Sequence, residues 1–214
     1  GAVSRAALRA GASAEATIAV HVRKKKRKEL GRLRKRLEEK GAVCFREFTH
    51  ADDLEDWADA FLTLEDKSWK GRQGTSLKST QRDADWFKKT LAGARDHAML
   101  HFLRLDLDGR PIAMLTTLLS NGAGYSLKIA YDPEFARFSP GVMIKIEAMR
   151  SLLNREDFQF ADSCASPDHS MINGLWRTRR IITGLNISGR QFAARSTLGA
   201  ARMLERARAS LPKG

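Results

Sequence analysis

The segment from Ser126 to Asn154 constrains this chain more than any other, because it predicts a strand, a loop and then a helix in direct succession. We expect the helix to begin at Ser139-Pro140-Gly141, since serine is a favoured N-cap and proline suits the first helical position. The amides of a first helical turn and the positive end of the helix dipole attract phosphate. The turn therefore indicates either a phosphate site or an ordinary capped helix, and the order of elements around it favours the phosphate site.

The elements before this segment read as a strand, two helices and a three-stranded meander. Asp108-Gly109 is a strong hairpin signal between the first two strands of the meander. After the segment, a crossover is expected to bring Phe158 to Asp162 back as a strand parallel to its predecessor. The other predicted strands are Ala42 to Phe48, Met99 to Leu107, Pro111 to Leu119, Tyr125 to Tyr131 and Arg179 to Ile187, and the other predicted helices are Thr49 to Trp69, Ser79 to Arg95, His169 to Trp176 and Gln191 to Leu211.

Helical spacing also predicts which side chains of the first two of these helices face inward. They are Leu54, Trp57, Phe61, Leu62 and Leu64 in the first helix and Trp86, Phe87 and Leu91 in the second.

Length and composition fit one globular domain with an appendage, because the chain has 214 residues, 43% of them apolar and 29% charged. No apolar run approaches the length of a membrane span. Cys44 and Cys164 offer neither a disulfide framework nor metal-ligand spacing, and they suit a reducing cytoplasm. The Ala-rich N-terminus has no secretory h-region; it has some transit-peptide character, but a cloning remnant or a start inside a longer protein fits it better. We expect residues 1–40 to be a basic peripheral extension and residues 41–214 to be the main domain.

Much of the net charge of +13 lies in the segment from Arg23 to Lys40. Leu30, Leu33 and Leu37 give this segment one narrow apolar stripe at helical spacing. Such a helix either binds nucleic acid or an anionic membrane surface, or it is a solvated helix docked by its leucines. No nucleic-acid-binding signature accompanies it, so nucleic acid is not the expected partner. A basic surface also suits an enzyme whose substrates carry phosphate.

The order of elements resembles the GNAT acyltransferase fold, an α/β (α+β) fold with a mixed central sheet and flanking helices. Within that superfamily the chain resembles the CelD-like (cellulose-biosynthesis-associated) acetyltransferases, distant relatives of the Fem aminoacyl transferases. The motifs that carry the likeness are Phe61-Leu62-Thr63-Leu64-Glu65 with Trp69-Lys70-Gly71 and Gly74-Thr75, Leu107-Asp108-Gly109-Arg110-Pro111-Ile112-Ala113, Lys128-Ile129-Ala130-Tyr131-Asp132, Ser139-Pro140-Gly141, and Asp162-Ser163-Cys164-Ala165 with Pro167-Asp168-His169 and Trp176.

The chain departs from the family pattern in two ways. Family members usually carry an additional GNAT-like half before the basic helix. The usual phosphate loop, Gln/Arg-x-x-Gly-x-Gly/Ala, is also only partly present. Phe138 and Met143 stand at its first and last positions, and only Gly141 matches.

The resemblance implies acetyl-CoA or another acyl-CoA as co-substrate and no metal. A thioester-dependent transfer needs the diphosphate held, the carbonyl polarised and the acceptor ammonium deprotonated. We expect the turn at the helix start to hold the diphosphate. We expect a backbone N–H, at the point where the central parallel strands part, to polarise the carbonyl. The residues expected to bind the cofactor are Ser139, Gly141, Val142 and Met143 at the turn and Ile129, Ala130 and Tyr131 on the strand.

Four residues are candidates for the base. His169 carries an imidazole, which ordinarily titrates near neutral pH, but it also suits a surface N-cap. Asp162 ends a central strand and either serves the reaction or ties down the following loop. Glu65 either recognises the acceptor amine or pairs with Lys70. Asp132 is the fourth candidate for the base.

The expected substrate-binding residues are Trp69, Lys70, Lys128 and Trp176. Lys128 and Asp132 share a face of one strand under period-two alternation, so they form either an inward pair beside the acyl site or a solvent-facing pair. Trp69 and Trp176 either wall the acceptor cleft or belong to the core.

Three functions are compatible with these residues. The first is a cytoplasmic acyltransferase that moves an acetyl or acyl group from coenzyme A to a small-molecule amine connected with envelope or exopolysaccharide metabolism. The second is Fem-like aminoacyl transfer from charged tRNA, with the basic helix on RNA phosphates. The third is a non-catalytic GNAT-like half-domain. An additional GNAT-like half or a second copy of the chain is the expected protein partner.

Overall fold

A computed structural model of the chain describes residues 2–185 and residue 203. Their strands form a mixed sheet in the order β2-β3-β4-β5-β6-β1-β7. The strands are β1 (Ala2–Arg9), β2 (Val43–Glu47), β3 (Leu100–Leu107), β4 (Arg110–Ser120), β5 (Ala123–Tyr131), β6 (Phe160–Asp162) and β7 (Thr178–Thr183). The helices are α1 (Ala14–His21), α2 (Lys24–Glu38), α3 (Leu54–Asp66), α4 (Trp69–Arg72), α5 (Gln81–Asp96), α6 (Pro140–Leu153) and α7 (Ser170–Leu175).

Contacts between residues divide the chain into a unit of residues 4–180 and a second unit of residues 1–3 and 181–214. The sites described below lie within residues 4–180. The helix predicted at Gln191 to Leu211 lies outside the described residues.

Local turn signals place the meander as predicted. β3 and β4 are joined by Asp108 and Gly109, whose φ values of 52° and 79° are both in the left-handed region. A two-residue hairpin loop needs positive φ at both positions, which is why an Asp-Gly pair is favoured there. β6 pairs in parallel with β5, and α6 supplies the crossover between them. The predicted parallel strand is confirmed.

Two helical layers cover the sheet, because successive residues of a strand face opposite sides. Phe102 packs into a cluster with Trp57, Phe61 and residues of α5, whereas Leu103 packs on the other face against α2 and α6. The inward positions predicted for α3 are confirmed. The prediction for α5 is wrong at Trp86, which is 48% exposed, since its neighbours at positions 87 and 91 already fill the inward face.

α2 docks through the leucine stripe, as predicted. Leu30 and Leu37 are buried, while most of its basic side chains are exposed. In the described part of the chain, no helix has the length and apolar character needed to cross a membrane.

Residues 1–40 differ from the peripheral extension expected of them. Ala7, Leu8 and Arg9 pair with β6, and Leu8 is completely buried. α1 packs against α6. The Ala-rich sequence of β1 has weak intrinsic strand preference, so its place in the sheet depends on pairing with a distant strand rather than on a local signal.

His101 of β3 is a buried titratable group outside the site described below. Its Nε2 lies 2.9 Å from Ser151 Oγ of α6, and the Ser151 hydroxyl donates to Glu47 Oε2 at 2.8 Å. Burial lowers the pKa of His101 to about 4, although the Glu47 carboxylate opposes the shift. The folded protein therefore holds this imidazole neutral.

This shift predicts a pH-dependent stability. The neutral imidazole stabilises the fold above its unfolded pKa of about 6.5, and that stability is lost as the pH falls toward about 4. Between about pH 7 and about pH 4, the free energy of unfolding of the wild type should fall by about 3 kcal/mol more than that of His101→Gln. Urea unfolding across this range measures the difference. His50→Gln, at an exposed histidine, is the control, and equal pH dependence in all three proteins would contradict the prediction.

Candidate active site

The main feature of the site is the point at which β5 and β6 part. The last residues that pair between them are Tyr125 and Asp162. β5 continues for six residues to Tyr131, whereas the chain turns away after Asp162. Asp162 Oδ1 fixes that turn by accepting from the Cys164 amide at 2.8 Å, and Cys164 has a φ of 51°. The far part of β5 is thus left without β6 as a neighbour.

A cavity of about 190 Å³ lies where the strands part. We call it the splay cavity. It is closed by side chains from β5, α4, α6 and the segment after β6, which include Lys70, Ser126, Lys128, Ile129, Lys145, Cys164 and His169.

Four consecutive residues of β5, from 126 to 129, line the splay cavity, and a β-bulge lies among them. Ser126 pairs with Thr117 across to β4. Lys128 pairs with Thr116, so Leu127 is the extra residue of the bulge, and the Lys128 amide donates to Thr116 Oγ1 at 3.1 Å. A bulge interrupts the alternation of faces along a strand, so Ser126 contacts Lys145 of α6 while Lys128 contacts Glu65 of α3.

Lys145 of α6 is the unusual charge of the splay cavity. The residue is 5% exposed, and its Nζ donates to Ser126 Oγ at 2.7 Å and lies 4.4 Å from the centre of the Trp176 ring. Among the described residues, no carboxylate lies within 4 Å of its Nζ. Burial lowers the pKa of Lys145 to about 8. The amine is therefore able to exchange a proton near neutral pH.

Sequence reasoning missed both Lys145 and Ser126. The available signal was the position of Lys145 within α6, four residues after Gly141 and four before Met149, in the middle of the stripe that helical spacing turns inward. A lysine on a buried stripe is rare without a purpose.

Cys164 borders the splay cavity but is a poor nucleophile. Partial burial raises the pKa of its thiol, and the nearby Asp162 carboxylate raises it further. The thiolate form that would react is therefore disfavoured.

Glu65, a predicted catalytic residue, is buried and fully engaged. Its Oε1 accepts from Lys70 Nζ at 2.6 Å and lies 3.5 Å from Lys128 Nζ, while its Oε2 accepts from the Leu77 amide at 2.8 Å. Burial alone would raise the pKa of Glu65, but the hydrogen bonds from Lys70 and Leu77 outweigh it and hold the pKa below its usual value. The geometry makes Glu65 a group that positions two lysines at the splay cavity.

The predicted pair of Lys128 and Asp132 does not form. Asp132 is fully buried and its Oδ2 accepts from Lys67 Nζ at 3.0 Å and Arg110 Nη2 at 2.6 Å. Burial would raise the pKa of Asp132, but these hydrogen bonds lower it overall. The pairing of β5 with β4 is regular from Lys128 to Tyr131, but Lys67 and Arg110 already bind the Asp132 carboxylate, and Lys128 pairs with Glu65 instead.

His169 lines the splay cavity, whereas the predicted Asp162 does not. Asp162 ties down the loop through the Cys164 amide and accepts from Arg180 Nη1 at 3.2 Å. His169 is the exposed N-cap of α7, and its Nδ1 accepts from the Ile172 amide at 3.5 Å. Of the four predicted base candidates, His169 is the one that borders the cavity.

Trp69 and Trp176 were each expected either to wall the acceptor cleft or to belong to the core, and their positions differ. Trp69 is 55% exposed on α4 and does not line the splay cavity. Trp176 is completely buried and forms part of the core beneath Lys145. The predicted substrate contacts that do border the cavity are Lys70 and Lys128.

The start of α6 differs from the open phosphate turn that its sequence predicts. Ser139 has a φ of 55°, its hydroxyl makes no cap, and its carbonyl accepts from the amides of Val142 and Met143 at 3.0 and 3.1 Å. Gly141 is buried, and a Cβ there would lie 3.1 Å from Tyr131 Cδ1. The amides of Val142 and Met143 are thus in use, and the Tyr131 ring covers the turn. On β5, Ile129 borders the splay cavity, but Ala130 points into the α3 cluster.

Two solved structures share the fold at low identity, and a third matches more weakly. FemX matches with a TM-score of 0.58 and 10% identity over 83% of this chain and 59% of that chain. A conserved protein of unknown function from Bacteroides thetaiotaomicron VPI-5482 matches with a TM-score of 0.57 and 11% identity over 84% of this chain and 58% of that chain. The ribosomal-protein-S18-alanine N-acetyltransferase from Escherichia coli matches with a TM-score of 0.38 and 16% identity over 52% of this chain and 59% of that chain.

This chain thus spans under two thirds of the length of these structures. Among curated proteins, none matches it closely enough to compare. The likeness to CelD-like enzymes stays a prediction. A family described as an acetyltransferase (GNAT) domain matches residues 24–168, which is more than half of the chain and includes the parted strands, α6 and the splay cavity up to Cys164. The protein belongs to this GNAT acetyltransferase family.

Proposed function

We propose that this protein transfers an acetyl or other short acyl group from coenzyme A to an amine, with the reaction centre in the splay cavity. The observation that carries the proposal is the buried Lys145, which lies at the point where β5 and β6 part and has no carboxylate partner among the described residues. The cavity is small, at about 190 Å³, so it suits an acyl group and its thioester rather than a nucleotide.

The donor is proposed to run along the free edge of β5. Past Tyr125 the backbone of this strand has no partner in β6, so it offers hydrogen-bonding groups to a pantetheine arm. The turn of α6 is not the diphosphate site in this proposal, because the amides of Val142 and Met143 already donate to Ser139.

A second cavity supports a different place for the donor phosphates. It has a volume of about 340 Å³ and lies against Phe138, just before α6. Its charged lining residues are three cations, Arg36, Lys40 and Arg137, and one carboxylate, Glu39. Flexible cations around an open cleft attract phosphate without the preformed amides of a helix start.

The proposed chemistry needs three proton movements. The acceptor amine attacks the thioester carbonyl, the carbon–sulfur bond breaks, and the ammonium proton passes to His169, the exposed imidazole at the cavity. Lys145 gives a proton to the departing thiolate and regains one from the nitrogen of the new amide, so its charge is restored. Holding donor and acceptor together in the cavity supplies much of the acceleration.

The acceptor is proposed to be a small amine that also carries an anionic group. Lys70 and Lys128 stand at the cavity with one carboxylate, Glu65, between them, so together with Lys145 the cavity keeps an excess of positive charge. The resemblance to CelD-like enzymes adds envelope or exopolysaccharide precursors as the class to screen first.

Replacing Lys145 by methionine tests this proposal. With acetyl-CoA and a panel of amino acids and amino sugars, the wild type should release free coenzyme A and an N-acetylated product, and Lys145→Met should lower kcat by roughly 10²-fold. The variant should stay folded, because exchanging a buried charge for an apolar side chain of similar shape is often neutral or stabilising. Thiol release, product mass and thermal unfolding are the measurements.

Lys89→Met is the matched control, since Lys89 is exposed on α5 and does not line the splay cavity. Its kcat should equal that of the wild type. Equal activity of Lys145→Met and the wild type would contradict the assigned centre. No turnover of the wild type with any amine would instead favour the GNAT-like half-domain.

A second candidate is Fem-like aminoacyl transfer from charged tRNA. The observation in its favour is a cationic face on α2, whose members have no ion pair among the described residues. These are Lys24, Lys25, Lys28, Arg32 and Lys35. Such a face suits the phosphate backbone of tRNA. Binding of this kind releases counterions from the nucleic acid, so the affinity falls steeply as the salt concentration rises.

Charge reversal on α2 separates the two donors. If tRNA is the donor, the triple variant Lys24→Glu, Lys28→Glu, Lys35→Glu should bind tRNA at least roughly 10-fold more weakly and with a shallower salt slope. The control is a triple variant of exposed cations elsewhere, Lys78→Glu, Arg82→Glu, Lys89→Glu. Equal tRNA affinities in the two variants would remove this candidate, as would acetyl transfer without any tRNA.

A further inference from the structure

Arg5 of β1 carries a buried nitrogen that lacks a hydrogen-bond partner in the described part of the chain. The side chain as a whole is partly buried, and the unpartnered atom is its Nε. A buried donor without an acceptor costs free energy, and the cost is larger when the donor belongs to a charged group. An unused donor of this kind requires an explanation, and an absent anionic ligand provides one.

The pairing of β1 with β6 places Arg5 beside the splay cavity. Ala7 pairs with Asp162, and the two strands stay bonded one residue beyond this pair. Because the strands are antiparallel, Arg5 lies across from Cys164, which lines the cavity. Burial and the Asp162 carboxylate raise the pKa of the Cys164 thiol, and the Arg5 guanidinium lies close enough to oppose them.

Arg5 shares one face of the sheet with Asp162 and Arg180. Side chains alternate along a strand, so Arg5 lies on the same face as Ala7 and as Asp162 opposite it. Arg180 also reaches this face, because its Nη1 donates to Asp162 Oδ2 at 3.2 Å and its guanidinium lies 4.7 Å from the centre of the Phe160 ring. The two guanidiniums and the one carboxylate leave a single positive charge at this place.

The cations of the splay cavity already have partners. Lys70 Nζ and Lys128 Nζ lie 2.6 and 3.5 Å from the same Glu65 oxygen. Lys145 donates to a hydroxyl within the cavity. Of the cations in and beside the cavity, Arg5 is therefore the one that binds a ligand without giving up a hydrogen bond in the part of the chain that the structure describes.

We propose that Arg5 binds a carboxylate of the acceptor, so that the amines this protein acylates are amino acids or similar small amines with one carboxylate. A guanidinium presents parallel N–H groups that match the two oxygens of a carboxylate. The single positive charge shared with Arg180 and Asp162 suits a monoanion better than a phosphate dianion. This inference rests on the proposed function for the reaction, but not for the binding of the carboxylate.

The distance from Arg5 to the cavity fits a compact acceptor. Neighbouring strands lie about 4.8 Å apart, and Arg5 is one strand away from the end of β6. An amino acid whose carboxylate is bound by Arg5 thus extends its amine past Cys164 into the splay cavity, where the acyl group is proposed to lie.

Steady-state kinetics with paired acceptors tests this site. With acetyl-CoA as donor, each amino acid of a panel is compared with its carboxamide, which keeps the amine but lacks the negative charge. Arg5→Met should raise KM for the preferred amino acid roughly 30-fold, because a hydrogen-bonded charge is lost. The kcat should stay within about twofold, since the contact is the same before and during the reaction. KM for the carboxamide should not change.

Arg9→Met is the matched control, since Arg9 is an exposed arginine on the same face of β1, four residues farther along the strand. Its kinetics should equal those of the wild type. Arg5→Lys should recover part of the affinity, because lysine keeps the charge but not the planar fork. Circular dichroism establishes that each variant is folded, and if Arg5→Met does not fold, Arg5→Lys carries the comparison with a smaller rise in KM.

Calorimetry with no acyl donor, in the presence and absence of free coenzyme A, separates this inference from the proposed function. The wild type should bind the amino acid more tightly than its carboxamide, and Arg5→Met should lose that preference. Equal binding of the acid and the amide, or binding of no amino acid, would overturn the proposal. An Arg5-dependent preference for O-phosphoethanolamine over every amino acid would also overturn it.

The two measurements together show which of the two proposals fails. Arg5-dependent binding of the carboxylate without acetyl transfer would keep the Arg5 site and refute the proposed function. Acetyl transfer to amino acids and carboxamides alike, with equal KM in the wild type and Arg5→Met, would do the reverse.

Discussion

The separation of β5 from β6 after Tyr125 and Asp162 is the constraint on which the site depends. A longer parallel ladder would have satisfied the backbone of β5 and closed the gap between the strands. Because the ladder stops, a free strand edge, a bulge and the inward face of α6 meet around one small cavity. The Asp162 carboxylate, which accepts from the first turn of the departing chain and from Arg180, keeps the gap open.

The ionisable groups in and near this cavity differ in how readily they exchange a proton near neutral pH. The buried carboxylates of Glu65 and Asp132 each accept from two or more donors, and both have lowered pKa values, so they are poor bases at neutral pH. Lys145 has the opposite character, because burial lowers the pKa of its amine to about 8. Proton exchange near neutral pH therefore suits the amine of Lys145 better than either acid.

Local sequence signals predicted the elements better than they predicted the contacts. Asp108 and Gly109 fix a hairpin through backbone preferences of their own, and the crossover rule fixed the direction of β6. The partner of Lys128 depended instead on Glu65 from a distant helix, and on Lys67 and Arg110, which bind the Asp132 carboxylate. The roles of Ser126 and Lys145 likewise appear only when β5 and α6 are packed together, since nothing in either segment alone specifies the other.

A structure of the protein with coenzyme A bound would test the central claim most directly, because the sulfur atom reports where acyl transfer occurs. The account predicts that the sulfur lies in the splay cavity beside Ser126 and Lys145, with the phosphates near Arg137. A sulfur outside this cavity, or a diphosphate bound on the amides of Val142 and Met143, would contradict it.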